Sequence, residues 1–480
     1  MRDWGGAQLG DVAAVKEACG VVGVVTPGRD AAWSCYDALY ALQHRGQESA
    51  GMAAFQDGRI TVTKDNGLVS HVFADAALSA LGGDLVIGHT RYSTSGSANW
   101  TAAQPVYRAA GSAGFALAHN GNLTNTAALA AEAGIELTHY LSDSDLVAEL
   151  LARAIERGAS LPDALATVLA RAEGAFSMVV LEAGALHAVR DPHGFRPLCL
   201  GRIGPEEAPS GWVAASESPA LDVVGATMLR EVEPGEMVTI TAEGIASSRL
   251  LTAAPGPQRL CVFEFVYFAR PDAYLLGHQV HSARRRMGER LAHAAPVAAD
   301  LVMGVPDSGV PAAEGYAQAS GIPFGHGLVK NRYIGRTFIA PDPAQRAAGV
   351  RRKLNALRET ITGLRLVVVD DSIVRGTTTR ALVAMLREAG AAEVHLRISS
   401  PPFAWPCYYG IDTPTREELL AARYDLAGMR DFIGCDSLAF ISLEDLRGAI
   451  GLEEGCCDAC LTGEYPAPIP VTLDTARGRW

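Results

Sequence analysis

The sequence predicts two domains of different fold class: an α+β first half, and an α/β second half built on a doubly wound parallel sheet. Three observations carry this reading. From Cys19 to about Gly244, short β-rich runs dominate, with helical patterns only around 33–43, 142–157 and 161–172. Beyond residue 259, strands and helices alternate, the pattern of parallel strands joined by crossover helices. Within that half, the apolar run Val367-Val368-Val369 ends in Asp370 and Asp371, passes through a Gly-containing turn, and opens a helix over Thr379–Ala389 with hydroxyl residues at its start.

In chain order, the first half gives expected strands at Gly20–Val25, Gly51–Phe55, Leu85–Thr90, Phe115–His119, Phe176–Leu181, Ala185–Val189, Trp212–Ala215 and Met237–Thr241. Ser142 with Asp145 three residues on is a capping-box-like helix start, and Leu146, Val147, Leu150, Leu151 and Ala154 form one apolar face. The Pro/Gly-containing stretch Thr252–Gln258 reads as a linker. After it come strands Asp300–Val305, Ile322–Gly325, Arg365–Asp370 and Glu393–Ile398, with helices over 310–320 and 379–389. In such sheets ligands bind beyond the carboxyl ends of the strands, so Val305-Pro306-Asp307-Ser308-Gly309 and the loop after Asp370 are expected to face one pocket.

Composition narrows the function classes. A chain of 480 residues, 49% apolar and 20% charged, is an ordinary globular protein with ample core. No apolar run approaches the roughly 18 residues that span a bilayer, and Met1–Ala18 lacks the apolar core of a secretory signal, so no membrane association is expected and the cytoplasm is the expected compartment. A net charge of −12 argues against nucleic acid as a partner. It leaves room for a local basic segment, Lys330, Arg332, Arg336, Arg346, Arg351, Arg352 and Lys353, suited to closing over phosphate or otherwise to a solvated surface. Nine cysteines do not read as a disulfide framework in such a chain. Cys35, Cys199, Cys435 and Cys456 sit in apolar surroundings and are expected as core residues.

The chemistry-bearing residues fall in two groups. Amides at a helix start, with the hydroxyls of Ser372, Thr377 and Thr378, form an anion site, and adjacent acids at a strand end suit a ribose diol or a hydrated Mg2+. Near the other end, Cys19 immediately precedes a glycine and a strand. It is either a buried thiol or a nucleophile, and removal of residues 1–18 would give it an α-amine able to act as its base. Polar clusters end the apolar runs at Gln43–Glu48, Gly88–Ser93 and His119–Asn122. Arg91 suits a carboxylate, Asp143 near a helix start suits an ammonium, and the Asn120 amide with the Gly121 N–H suits an oxyanion, a contribution of roughly 3–4 kcal/mol. Together they describe glutamine hydrolysis.

Val367–Thr379 resembles the 5-phosphoribosyl-1-diphosphate (PRPP) signature of type I phosphoribosyltransferases, and the Cys19 group resembles the N-terminal-nucleophile (class II) glutamine amidotransferase domain. The combination, with Asp191–Pro197 and Phe268–Asp272 between them, is similar to the amidophosphoribosyltransferase family over about Cys19 to Pro466. That resemblance implies a propeptide (1–18), an αββα glutaminase domain (19–251), a phosphoribosyltransferase domain with a cluster-binding C-terminal part (259–465) and a tail (466–480). It implies transfer of the glutamine amide nitrogen to PRPP, giving 5-phosphoribosylamine, glutamate and pyrophosphate, the first committed step of purine (IMP) synthesis. Cys19 becomes the nucleophile, Asn120 and Gly121 the oxyanion hole, and Arg91 and Asp143 the clamp on L-glutamine. Lys330, Arg332, Asp370, Asp371, Ser372, Arg375, Gly376, Thr377 and Thr378 meet PRPP, with Tyr333 in the same closing loop. Ser308, Asp370 and Asp371 hold one Mg2+ per subunit. Cys261, Cys407, Cys457 and Cys460 match the ligands of one [4Fe–4S] cluster per subunit, whereas Cys457 and Cys460 alone are a weak metal pair and four thiolates also suit zinc. A homotetramer and feedback inhibition by purine nucleotides are implied as well. One departure is Ala18 where processed relatives usually carry Glu, with Glu17 one place back.

Two rivals share parts of this pattern. Glucosamine-6-phosphate synthase joins the same glutaminase to a sugar isomerase, but lacks a reason for the acid-pair element at 367–379. A PRPP- or purine-binding regulator of the same fold has no use for Cys19, Arg91, Asn120 and Asp143 together.

Overall fold

The structure is a computed structural model that describes residues 19–92, 100–139, 142–331, 352–411, 413 and 415–470. Residues 1–18, expected as a propeptide, and Ser93, Arg332, Tyr333, Arg336, Arg346, Arg351 and the end of the tail lie outside the described residues. Among those described, the first half contributes strands β1 (Gly20–Val25), β2 (Ser49–Gln56), β3 (Arg59–Asn66), β4 (Leu85–Arg91), β5 (Val106–Arg108), β6 (Phe115–Leu123), β7 (Gly174–Glu182), β8 (Ala185–Arg190), β9 (Cys199–Ile203), β10 (Gly211–Ala215), β11 (Ala226–Glu231), β12 (Glu236–Thr241) and β13 (Gly244–Arg249).

They form two sheets, ordered β11-β9-β10-β1-β4-β2-β3 and β13-β12-β8-β7-β6-β5, and every neighbouring pair is antiparallel. The period-2 alternation of β1 shows how the layers arise. Val21 and Val25 point between the sheets, where they meet Ile87, Ala118, Val179 and Leu186. Val22 and Val24 point outward and pack with Leu39 and Leu42 of the Ala32–Ala41 helix region. On the far side, Phe115, Leu117, Phe176 and Met178 pack under the helices Asp143–Glu156 and Leu161–Leu169. The result is an αββα sandwich. The expected cap is present: Ser142 Oγ accepts from Asp145 N at 3.2 Å.

In the second half, Leu301–Gly304, Arg365–Asp370, Glu393–Ile398 and Ser437–Phe440 pair in that order, all parallel. Both faces are covered. Val302, Val367 and Val369 join one core with Met287 and Tyr316, while Leu301, Met303, Leu366 and Val368 join another with Leu382 and Leu386. Burial on both faces is why the strand reads as an unbroken apolar run. A single parallel bridge, Val302 to Phe324, adds a rudimentary position outside Leu301–Gly304. The chain therefore winds first to that side and then reverses. The reversal falls between Leu301–Gly304 and Arg365–Asp370, the crevice where such sheets bind ligands.

Several elements differ from expectation. Ile322–Gly325 is that one bridge rather than a strand, since Pro323 has no N–H to extend a ladder. The helix after the acid pair starts at Thr377, because Gly376 takes φ +74 and turns the chain there. The strand expected to end at His119 runs to Leu123, its register with β7 continuing through Asn120 opposite Ser177 and Gly121 opposite Phe176. Strands β3, β5, β9, β11, β13 and Ser437–Phe440 carry too little apolar signal to have been anticipated. Among the described residues, no helix is long and apolar enough to cross a membrane.

Candidate active sites

Cys19 stands one residue before β1, beside the end of β4. Its Sγ lies 3.5 Å from the Tyr92 carbonyl oxygen, to which the thiol donates. Burial pushes the thiol up from its ordinary value, and the nearby Arg91 and Arg45 guanidiniums oppose that rise. The Cys19 carbonyl oxygen accepts from Arg45 Nε at 3.0 Å. Strand β4 links the Cys19 region to the second sheet, since His89 Nε2 donates to the His119 oxygen of β6 at 3.1 Å. Burial holds the His89 ring down to about 3, so it is neutral and carries its proton on Nε2.

The next residue along β6 is Asn120. Its side chain is 1% exposed, and among the described residues neither Oδ1 nor Nδ2 has a partner. An unpaired buried amide costs about 1–3 kcal/mol, a cost that a ligand hydrogen-bonded there would relieve. Gly121 takes φ +150, and a Cβ there would sit 2.0 Å from the Ala175 oxygen, so no other residue fits. Phe176, opposite Gly121, spends its N–H and C=O on Asp191 (3.2 and 2.8 Å), which leaves the Gly121 N–H facing away from β7. Two donors thus stand adjacent on one strand, as an oxyanion hole requires. Replacing Asn120 with alanine is expected to lower kcat for glutamine hydrolysis by on the order of 10²–10³ with little change in KM, measured as glutamate release.

Asp143 is the first residue of its helix. Its Oδ1 accepts from Ser144 N at 2.7 Å and its Oδ2 from Leu123 N at 3.0 Å, with the His119 ring 3.6 Å away. Burial alone would raise this carboxyl, but the His119 ring and those N–H groups hold it below its ordinary value, so it remains an anion. Arg91, at the end of β4, is 7% exposed. Arg91 thus acts on Cys19 from the end of β4, while Asp143 holds its charge beside His119 and Leu123 of β6.

The second group gathers at the switch point. Asp371 accepts from Ser308 Oγ, and from Ser372 Oγ at 2.5 Å; Asp370 Oδ1 accepts from Asp371 N at 2.9 Å. Ser308 and the acid pair, 63 residues apart in sequence, are thus brought together. Burial and then the neighbouring Asp371 charge push the Asp370 carboxyl up, and burial pushes Asp371 up. Two such carboxylates call for a cation. Gly376, Thr377 and Thr378 open the helix beside them, while Arg375 reaches Glu418 at 3.1 Å and Lys330 reaches Asp307 at 2.6 Å.

Cys261, Cys407, Cys457 and Cys460 line one cavity, together with Phe195, Arg196, Tyr409, Ile411 and Tyr465. A parallel pairing of Leu260–Cys261 with Cys456–Cys457 sets Cys261 opposite Cys457, and the short helix Ala459–Thr462 returns Cys460 to the same space. All four are free thiols. Burial pushes them up, Cys261 to about 12, so thiolates there need a metal's charge. Among the described residues, no three Cys, His, Asp or Glu side chains are gathered as ligands of a single ion. Four thiols around one cavity are a donor set that suits either a [4Fe–4S] cluster or a tetrahedral zinc.

Comparisons with known proteins decide the family. Residues 89–223 match a glutamine amidotransferase domain and residues 278–399 a phosphoribosyl transferase domain. The amidophosphoribosyltransferase of Mycobacterium tuberculosis is 50% identical over 486 residues, covering 98% of this chain and 90% of the relative. That of Bacillus subtilis is 45% identical over 469 residues, covering 96% of each. A solved structure of glutamine PRPP amidotransferase from B. subtilis, complexed with ADP and GMP, matches with TM-score 0.86 at 45% identity, over 94% of this chain and 98% of that one. A structure described as the allosteric regulatory enzyme of purine biosynthesis matches with TM-score 0.86 at 44% identity, over 94% and 97%.

The chain belongs to the amidophosphoribosyltransferase family. The sugar-isomerase and regulator readings fall away with that membership. What sequence reasoning missed in this family member is a set of buried charges that meets the Cys19 backbone. Arg45 and Arg196 are 1% and 0% exposed, and Glu217 and Glu264 are 0% exposed. Arg45 donates to Glu264 at 2.8 and 2.9 Å and also to Glu217; Glu217 further accepts from His44 Nε2 at 2.8 Å and Arg270 N at 3.0 Å. The only sequence signal was charge inside otherwise apolar runs, as in Phe263-Glu264-Phe265. Burial alone would raise the Glu217 carboxyl, but His44 and Arg45 hold it well below the usual carboxylate range. Its folded value being depressed, it contributes stability above its unfolded value of 4.5 that is lost as pH falls below it. Glu217→Gln is expected to cost about 3 kcal/mol at neutral pH and to flatten the fall in Tm between about pH 5 and pH 3, read by thermal melts.

Proposed function

We propose that the chain hydrolyses L-glutamine at Cys19 and uses the ammonia to displace pyrophosphate from C1 of PRPP, forming 5-phosphoribosylamine at the entry to purine synthesis. The observation that carries the first half-reaction is the Asn120 amide, buried and unpaired beside Gly121, on a strand tied through His89 to the element that flanks Cys19. In this reading Arg91 binds the α-carboxylate and Asp143 the α-amine. Cys19 Sγ attacks the amide carbon, Asn120 and Gly121 hold the oxyanion, and ammonia leaves a thioester that water resolves. Loss of residues 1–18 frees the Cys19 α-amine to take and return the thiol proton.

Ser372, Gly376, Thr377 and Thr378 cradle the 5-phosphate at the start of the Thr377–Glu388 helix. Asp370 and Asp371 receive the ribose, and with Ser308 they would hold Mg2+, which supplies charge neutralisation for the departing pyrophosphate. Lys330, with Arg332 and Tyr333 of the same segment, closes over PRPP and keeps out competing water. Cys261, Cys407, Cys457 and Cys460 would hold a [4Fe–4S] cluster whose contribution is to staple the C-terminal segment to both domains. Feedback by purine nucleotides is supported by the B. subtilis structure with ADP and GMP. A homotetramer in the cytoplasm rests on the family likeness.

Intact mass with iron analysis of anaerobically purified protein tests the parts not fixed by family membership. Loss of residues 1–18 and about four irons per chain is expected. A full-length mass, or one zinc and no iron, would overturn the corresponding assignment.

A further inference from the structure

We propose that Glu264 is a positioning residue for glutamine cleavage, holding Cys19 through Arg45 and fixing it relative to the oxyanion hole. Glu264 lies in the second half of the chain, at the start of the π-helical turn Glu264–Phe268, yet its carboxylate is spent on two arginines of the first half. Arg45 takes both oxygens, at 2.8 and 2.9 Å, and Arg196 Nη1 takes Oε1 at 3.3 Å. All three side chains are fully buried. Such a bidentate pair fixes the guanidinium plane, and a further Arg45 donor, Nε, holds the Cys19 carbonyl oxygen at 3.0 Å.

The other arm returns to the same site from behind. Arg196 donates to the Tyr409 oxygen at 2.8 and 3.1 Å. The neighbouring Tyr408 oxygen accepts from Asn122 Nδ2 at 2.9 Å. Gly410, at φ +104, lies so close that a Cβ there would stand 3.1 Å from the Gly121 carbonyl carbon. Cys19 and the oxyanion strand are thus the two ends of one chain of contacts, Cys19–Arg45–Glu264–Arg196–Tyr409–Gly410–Gly121, with buried charges at its centre. Glu264 is its one carboxylate shared by both arginines. An amide in its place keeps the shape but cannot accept three guanidinium N–H groups, so Arg45 is free to turn fully to Glu217 and release Cys19.

The inference rests on the proposed role of Cys19, and the test separates the two. Processed, metal-loaded Glu264→Gln enzyme, its loss of residues 1–18 checked by intact mass, is assayed for pyrophosphate release from PRPP with glutamine and, separately, with ammonium, and for alkylation of Cys19 by iodoacetamide. Expected are a fall of about tenfold or more in kcat with glutamine, glutamine KM within about twofold, slower alkylation, and ammonium-dependent activity within about twofold of wild type. Gly410→Ala, which presses on Gly121 from the other arm, is expected to show the same kcat loss with ammonium activity retained. Parallel loss of both activities in both variants, a rise in KM alone, or no change would overturn the positioning role. Wild-type enzyme that reacts with ammonium but never with glutamine would instead overturn the role of Cys19.

Discussion

Cys19→Ala is expected to abolish product formation from glutamine, by at least about 10⁴-fold, while leaving product formation from ammonium within about twofold of wild type. The asymmetry follows from geometry. Cys19 lies outside the parallel sheet, at the start of β1, and its contacts are Tyr92, Arg45 and Arg91 of the first half. The acid pair is held by Ser308 and Ser372 of the second half, so supplied ammonia can be used without the thiol. Alanine removes the sulfur proposed to form the thioester and leaves the Arg45 bond to the Cys19 backbone oxygen in place. The check is pyrophosphate release with each nitrogen donor in turn. Loss of both activities would mean that Cys19 supports the fold rather than the chemistry; retention of both would mean that nitrogen release occurs elsewhere.

Asp371→Asn should act in the opposite pattern, lowering pyrophosphate release from both nitrogen donors together by on the order of 10²–10³. Asp371 accepts from two serines and lies against Asp370, and an asparagine retains one acceptor while losing the charge that a cation or a ribose diol meets. Wild-type protein carries two adjacent carboxylates, Asp371 buried and Asp370 half-buried, that desolvation pushes up, a cost that a bound cation would relieve. Added Mg2+ with PRPP is therefore expected to raise Tm of wild type more than that of Asp371→Asn, in a thermal melt with and without the ion. An equal shift would place the cation elsewhere. Glutamine hydrolysis measured without PRPP should be unchanged in the variant.

The two ends of this enzyme were legible in the sequence for different reasons. Val367–Asp371 announces itself because a strand buried on both faces must be apolar throughout, so the first acids mark where it leaves the core. Cys19 and Asn120 were legible only as members of a set, since one cysteine before a glycine or one asparagine after a strand is common. The extension of β6 through Asn120–Leu123 was hidden because polar residues continue the ladder past the point where the hydrophobic pattern stops. The buried charges Arg45, Glu217, Glu264 and Arg196 were hidden more deeply. Each is an unremarkable charged residue in the linear sequence, and its meaning lies in partners up to 219 residues away. The four cysteines fall between these cases: their convergence on one cavity follows from the pairing of Leu260–Cys261 with Cys456–Cys457, which no local pattern specifies.

The most direct test of a two-site enzyme is the stoichiometry of its products. With processed, metal-loaded protein, glutamine and PRPP supplied together, glutamate and pyrophosphate should appear in a ratio of about one to one, with pyrophosphate release dependent on glutamine when ammonium is absent. Glutamate without pyrophosphate, or neither product, would contradict the account.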